Sequence, residues 1–330
     1  MLSITALLII VIVLALAFDF INGFHDTANA IATSVSTRAL KPQTAVMLAA
    51  VLNFAGAMAG TAVAKTIGKG IVETSLVNMH TLTAAMLGAI FWNLLTWYYG
   101  FPSSSSHALI GGLVGAAIAS GGWQAVIIKG FTEKVLLPLV LSPIIGYLIG
   151  FTLMTVFYWI FGWFAPGKVN NVFRRLQILS AMSAAFSHGS NDAQKTMGII
   201  ALALFSAQVI PEFTVPIWVK AACALAMGLG TAAGGWRIIK TMGSKIFKME
   251  PIHGFAADVT SSTVIYGASL LGVPVSTTHV VSSSILGVGS AKRFSAVNWQ
   301  VAINIITAWF LTIPASGLVA YLTYWLIKGV

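Results

Sequence analysis

Two aspartates, Asp26 and Asp192, stand where acidic side chains are not expected. Each lies in a short polar run, Gly23-Phe24-His25-Asp26-Thr27-Ala28-Asn29 and Gly189-Ser190-Asn191-Asp192-Ala193-Gln194-Lys195, within otherwise apolar surroundings. An acid at the centre of a membrane helix costs about 2.5–3.5 kcal/mol on insertion scales, so such a residue points to function by default. The bland alternative, a structural carboxylate capping a broken helix, loses weight when the same residue recurs at a matched position. Asn22, Asn29 and Asn191 add amide oxygens, and Gly23 and Gly189 permit a helix to unwind. Freed backbone carbonyls together with a carboxylate make an all-oxygen site for a hard cation such as Na+. The segments from Thr27 and from Ala193 are expected to restart as half-helices, whose N-termini favour an anion.

A second pair of motifs is rich in hydroxyls: Ser103-Ser104-Ser105-Ser106-His107 after Pro102, and Ser276-Thr277-Thr278-His279 after Pro274-Val275. Proline ends one helix and suits the start of the next. One such cluster would be read as an N-cap. Two copies ending in histidine point instead to a donor surface for a tetrahedral oxyanion, with Ser104, Ser105, Ser106, Ser276, Thr277, Thr278 and Gln194 as its candidate ligands. An ionised carboxylate only accepts hydrogen bonds, so Asp26 and Asp192 cannot receive an anion directly, but they can hold cations that in turn neutralise it. Asp26, Asn22, Asn29, Asp192 and Asn191 are therefore the candidate sodium ligands, and the chemistry is coupled cation–anion symport. Lys195 either neutralises Asp192 or offers its ammonium to the anion; pairing with the carboxylate is favoured because it offsets the desolvation of both. His107 and His279 either brace the hydroxyl turns or sense protons.

These residues need elements that reach membrane depth. Hydrophobic residues make up 58% of the chain and charged ones 8%, against about 25% charged in soluble domains. Apolar stretches at 4–24, 43–64, 82–100, 135–164, 198–210, 214–236 and 299–327 mostly approach the ~20 residues that cross a bilayer as helix. Two-residue alternation, as in a barrel, is absent, so the fold class is an all-α integral membrane protein. The first apolar run continues past Ala15-Leu16-Ala17, so it reads as a retained helix rather than a cleaved leader. The net charge of +10 sits mainly in short loops and reports topology rather than nucleic acid. Cys223 stands alone, which excludes an internal disulfide and a cysteine zinc site. Gly56-Xaa-Xaa-Xaa-Gly60, Gly111-Xaa-Xaa-Xaa-Gly115 and Gly146-Xaa-Xaa-Xaa-Gly150 suit close helix contacts, inside the chain or across a dimer.

The chain also repeats itself. Besides the aspartate and hydroxyl motifs, Gly60-Thr61-Ala62 matches Gly230-Thr231-Ala232, and Pro143 and Gly146 match Pro314 and Gly317, in the same order at nearly constant offset. The halves are 1–164 and 178–330, joined by a cytoplasmic connection at 165–177. Lys168, Arg174 and Arg175 place that connection in the cytoplasm, as Arg237, Lys240, Lys245 and Lys248 place 237–253. The turn at 206–213 has no Lys or Arg, whereas its counterpart in the first half carries Arg38 and Lys41. This predicts two inverted-topology repeats with both termini outside the cell membrane, although Lys65 and Lys69 count against it. The expected fold has about 10–12 transmembrane segments, including broken or re-entrant half-helices.

At these motifs the chain resembles the inorganic phosphate transporter family, sodium- or proton-coupled carriers with a duplicated signature close to Gly-Xaa-Asn-Asp-(Val/Thr)-(Ala/Ser)-Asn-Ala. That signature stands here as Gly23 to Ala30 and Gly189 to Thr196, and the family's Pro-(Val/Ile)-Ser-Thr-Thr-His element as Pro274 to His279. His188-Gly189 and Gly234-Gly235-Trp236-Arg237 also resemble the family's second repeat. The resemblance implies an inverted-repeat phosphate symporter, a homodimer in the lipid bilayer, with Asp26 and Asp192 as the essential signature aspartates. It implies an accessory acid at Asp258, soon after Gly254-Phe255. The sequence departs from the pattern at His25 and Lys195, where the family has asparagine, and at Asn53, where some relatives carry glutamate.

The resulting expectation is Na+-coupled uptake of inorganic phosphate by alternating access, with Na+ as coupling ion and no cofactor. A proton-coupled or metal-phosphate symporter, or a sulfate permease of the same fold, is the alternative. A serine–histidine hydrolase is disfavoured because no glycine-flanked nucleophile is present, and a channel because a closed midplane site is not a pore. Asp26→Asn and Asp192→Asn are both expected to abolish coupled uptake and leave the protein folded.

Overall fold

A computed structural model describes residues 3–329. Its elements in chain order are α1 (Ile4–His25), α2 (Thr27–Ser36), α3 (Pro42–Met58), α4 (Ala62–Gly70), α5 (Met79–Tyr99), α6 (Ser105–Gly121), α7 (Ile128–Phe131), α8 (Leu137–Phe161), α9 (Pro166–Ser206), α10 (Ile217–Ala233), α11 (Trp236–Lys240), α12 (Pro251–Leu270), α13 (Thr277–Lys292) and α14 (Trp299–Lys328). A π-helical turn, Thr132–Leu136, joins α7 to α8, and another, Thr241–Lys245, follows α11. Among the described residues the only β-pairing is a single bridge between Val72 and Val126.

Five helical spans are long and apolar enough to cross a membrane, or up to seven if each of two bent pairs counts as one span: α3 with α4, bent by 67°, and α10 with the helix after it, bent by 62°. The protein is therefore a multi-pass membrane protein. The bends fall at the matched Gly60-Thr61-Ala62 and just after Gly230-Thr231-Ala232, where Gly234 takes φ +74°, a conformation open to glycine without strain. α12 is too polar to qualify as an apolar span, and α13, with 16 residues, is too short. Their polar side chains face protein: α13 is buried from Thr277 through Ser290. α9 runs for 41 residues, about 60 Å, so it exceeds the hydrocarbon thickness and carries Lys168, Arg174 and Arg175 on its first turns.

Helices of the two parts of the chain exchange partners reciprocally, although α9 is continuous where α1 and α2 are separate. α1 packs on α10 and α9 packs on α3; α8 packs on α13 and α14 packs on α6. The glycine pairs make the last two contacts possible. A side chain at Gly111 or Gly115 would strike the α14 backbone at Ile313 and Gly317, and one at Gly146 or Gly150 would strike Ser283 and Ser284 of α13. These small-residue motifs thus serve packing within the chain. The turns after α2 and after α9 also correspond, with Arg38 at φ 59° and Gln208 at φ 58°.

The apolar core forms two clusters. α1 contributes to the first and α2 to the second. α9 contributes Phe173 and Ala185 to the second, then Ala193 and Met197 to the first. Both signature runs therefore lie where the chain passes from one cluster to the other.

Candidate cation and anion site

The two signature runs differ in backbone. In the first half the helix is interrupted at one residue, Asp26, which ends α1 and precedes α2 with φ −97° and ψ 8°. Its N–H still reaches the Asn22 carbonyl at 2.8 Å. The Thr27 hydroxyl donates to the Gly23 carbonyl at 2.6 Å, and Gly23 lies directly against the α10 backbone at Met227 and Gly230. In the second half no unwinding occurs: α9 continues through Gly189, Asp192 and Ala193. The expected half-helix restart at Ala193 is thus corrected. Gly189 serves another purpose, admitting the backbone of Asn53 on α3 where a Cβ would clash.

The aspartates meet. Asp26, His188 and Asp192 are buried and offer ligand atoms all within 4.8 Å of one another. Each carboxylate has a histidine neighbour: His25 Nδ1 lies 2.7 Å from Asp26 Oδ1, and His188 Nε2 lies 3.1 Å from Asp192 Oδ2, out of hydrogen-bond alignment. His25 is anchored from its other nitrogen by Thr96 at 3.1 Å, and His188 by Asn53 at 3.0 Å, with the Asn53 amide donating to Thr231 at 2.9 Å. Asp26 Oδ2 and Asn22 Oδ1 are buried with no hydrogen-bond partner. Buried polar atoms are rarely left so, and these two are oxygen acceptors of the kind a hard cation uses.

Asp192 is occupied by protein. Its Oδ1 pairs with the Lys195 ammonium and its Oδ2 accepts the Thr277 hydroxyl at 2.8 Å. Lys195 also donates to Ser106 Oγ and, at 2.8 Å, to the Val275 carbonyl. Of the two readings of Lys195, the geometry favours neutralisation of Asp192. Asn29 donates to Thr277 at 3.2 Å and to Thr278 at 3.0 Å. Asn29 of the first half therefore grips the hydroxyl turn of the second, and Lys195 of the second grips that of the first.

The hydroxyl turns open α6 and α13. Ser104 and Ser276 are their N-caps, each accepting the backbone N–H of the histidine three residues on, His107 and His279, at 3.2 Å. The capping role is thus real for these two serines, and it leaves Ser105, Ser106, Thr277 and Thr278 to face other groups. Ser105 Oγ is buried without a partner. His107 and His279 do not brace the turns; their rings meet, centroids 4.7 Å apart, and His279 stacks on Trp309 at 4.0 Å. Two helix N-termini thereby approach one another, with free N–H groups and partial positive charge suited to an anion.

Other candidates are placed elsewhere. Gln194 accepts from Val63 N at 2.9 Å and donates to the Ser190 carbonyl at 2.6 Å, so its amide is engaged at the start of α4. Asn191 donates to Ser269 at 2.9 Å, while its Oδ1 has no partner. Asp258 accepts from Thr33 at 2.6 Å and Ser180 at 3.1 Å, and its ties run to α2 and to α9 ahead of the signature run. The sequence reading overlooked Asp19, fully buried on α1, which accepts from Thr196 at 3.1 Å and keeps Oδ2 unpartnered. Its signal was present: an acid inside the apolar run 4–24, about two helical turns before Asp26.

Residues 22–320 match the model of a phosphate transporter family. A Bacillus subtilis protein named a probable low-affinity inorganic phosphate transporter is 52% identical over 325 residues, 98% of this chain and 97% of that one. A Rhizobium meliloti protein of the same name is 49% identical over 320 residues, 96% of each chain. A solved structure titled "The sodium-dependent phosphate transporter" superposes with a TM-score of 0.92 at 29% identity, covering 98% of this chain and 100% of that one. The chain belongs to the phosphate transporter family and is a transporter, not an enzyme.

Proposed function

We propose that the protein is a cation-coupled symporter of inorganic phosphate, with Na+ as the coupling ion. The observation that carries the reading is the charge balance of the buried cluster. Two carboxylates, Asp26 and Asp192, face one ammonium, Lys195. Lys195 offsets Asp192, which leaves Asp26, whose Oδ2 has no partner, and the buried Asp19 near the cluster without a lysine or arginine counter-charge. A buried uncompensated charge is costly, and an oxyanion beside it would be repelled. A cation at Asp26, with Asn22 to help ligate it, removes both obstacles. Phosphate then meets donors from the hydroxyl turns, first Ser105 and Thr278, whose O–H groups are not committed to protein acceptors; the Thr277 hydroxyl is given to Asp192 and Ser106 lies against Val275. The structural neighbour is a sodium-dependent phosphate transporter, which supports Na+ as that cation. The reciprocal packing of the halves fits an inverted repeat whose parts rock against each other, with both termini outside.

Proton or metal-phosphate coupling is the second reading, because a histidine stands beside each signature carboxylate. Asp26, His188 and Asp192 together are also a ligand set that a softer divalent ion accepts. Radiolabelled phosphate uptake into proteoliposomes separates these readings. Accumulation driven by an inward sodium gradient at equal pH supports Na+ coupling. Accumulation that follows a pH gradient, or that needs a divalent metal, supports the second reading instead.

A further inference from the structure

The matched positions of the two signatures hold different residues: Asn29 in the first and Lys195 in the second. Their contacts are nonetheless equivalent. Asn29 reaches Thr278 on the hydroxyl turn of the opposite half, and Lys195 reaches the matching Ser106. The Lys195 ammonium is 2% exposed, and its three donors are used on three oxygens from three elements: Asp192 Oδ1 of α9, Ser106 Oγ of α6, and the Val275 carbonyl just before α13. Carboxylate, hydroxyl and backbone carbonyl are the oxygen types that coordinate a hard cation. In the first half no lysine or arginine stands at the matching place: Asp26 Oδ1 has the His25 ring at 2.7 Å, and Asp26 Oδ2 has no partner.

We infer that Lys195 is a tethered coupling cation: its ammonium permanently fills the cation position of the second repeat, leaving the position at Asp26 as the one that a mobile ion must enter. A carrier with asparagine at this position would need one more free cation per cycle than this protein does. Lys195 thus sets ion stoichiometry, and through it the driving force available for accumulation. The inference rests on the cation-coupled reading above.

The test uses the full chain and three forms: wild type, Lys195→Asn, which supplies an amide oxygen but no charge, and Lys195→Met, which supplies neither. Melting temperature in detergent is followed against NaCl, with choline chloride holding ionic strength constant. Lys195→Asn is expected to be less stable than wild type at low sodium and to show a steeper sodium-dependent rise in melting temperature than wild type, whose own rise reports the single position at Asp26, as binding linkage requires. If folded Lys195→Asn cannot be obtained at low sodium, recovery of folded protein by sodium is the predicted result. In proteoliposomes the Hill coefficient for sodium should rise by one in Lys195→Asn, and its KM for phosphate should be raised at low sodium and return to the wild-type value at saturating sodium. Lys195→Met should not be rescued. A sodium response of Lys195→Asn identical to that of wild type overturns the inference. So does a phosphate KM that stays raised at every sodium concentration, which would mean that the ammonium contacts phosphate itself. Failure of sodium to drive uptake by the wild type would instead refute Na+ coupling, while the melting comparison still decides whether Lys195 stands in for a cation.

Discussion

Replacing Asp192 by asparagine tests the buried charge pair most sharply. The sequence alone suggested that Asp192→Asn removes a cation ligand and leaves the fold intact; the structure revises this. Asp192 pairs with the ammonium of Lys195, which is 2% exposed, and accepts Thr277 at 2.8 Å. With asparagine in place the ammonium keeps Ser106 and the Val275 carbonyl but loses the carboxylate it is paired with. Removing one partner of a buried pair typically destabilises by about 3–5 kcal/mol, because the remaining charge is uncompensated. The double variant Asp192→Asn with Lys195→Met removes that charge too and should recover most of the loss, with a coupling energy of roughly 2 kcal/mol or more. Reversible unfolding in detergent micelles, followed by circular dichroism, measures all four corners of the cycle. If Asp192→Asn unfolds within about 1 kcal/mol of wild type, or if the double variant is no more stable than the single one, the pair is not the buried, uncompensated kind argued here.

Asp26→Asn should behave differently: it removes a carboxylate whose Oδ2 has no partner, so the protein should stay folded, as size-exclusion profiles will show, while sodium-driven uptake is lost. Thr277→Ala with Thr278→Ala should raise the KM for phosphate about tenfold or more, the effect of hydrogen bonds to a charged group; an unchanged KM would reduce the turn to a helix cap. Outside the membrane, the Asn170 amide at 3.1 Å, with Lys292 at 3.3 Å, holds the Glu250 carboxyl below its ordinary range. A depressed carboxyl stabilises the folded state above its unfolded pKa, and that contribution is lost as pH falls through the lower folded value. Melting temperature should therefore drop with acidification somewhat more in wild type than in Glu250→Gln, and the difference is small because both ion-pair partners are largely solvated.

The sequence carried the fold class, the duplication and the two polar motifs because each leaves a local trace. Apolar runs reported the lipid-facing helices, and Asp26, Asp192 and the hydroxyl turns were conspicuous against them. What it hid follows from burial against protein. α9, α12 and α13 face other helices rather than lipid, so Ser, Thr, Asn and Gly fill positions that hydropathy reads as non-membrane. The unwinding expected at Gly189 failed because a glycine in a helix serves backbone approach as readily as it permits a break, and only the location of Asn53 distinguishes the two. Gln194 was grouped with the anion ligands from its place in the motif, yet the bend between α3 and α4 puts Val63 N within its reach. The partnership of Lys195 with Ser106 and Val275 joins segments far apart in the chain, and no local pattern announces it.

The most direct measurement of the central claim is sodium-driven phosphate accumulation in proteoliposomes by the wild type and Asp26→Asn, compared at equal reconstitution and equal pH. Wild-type accumulation that requires the inward sodium gradient, together with its loss in a folded Asp26→Asn protein, is the predicted result. Accumulation by Asp26→Asn at the wild-type level would contradict the account, because the coupling cation would then lie elsewhere than at Asp26.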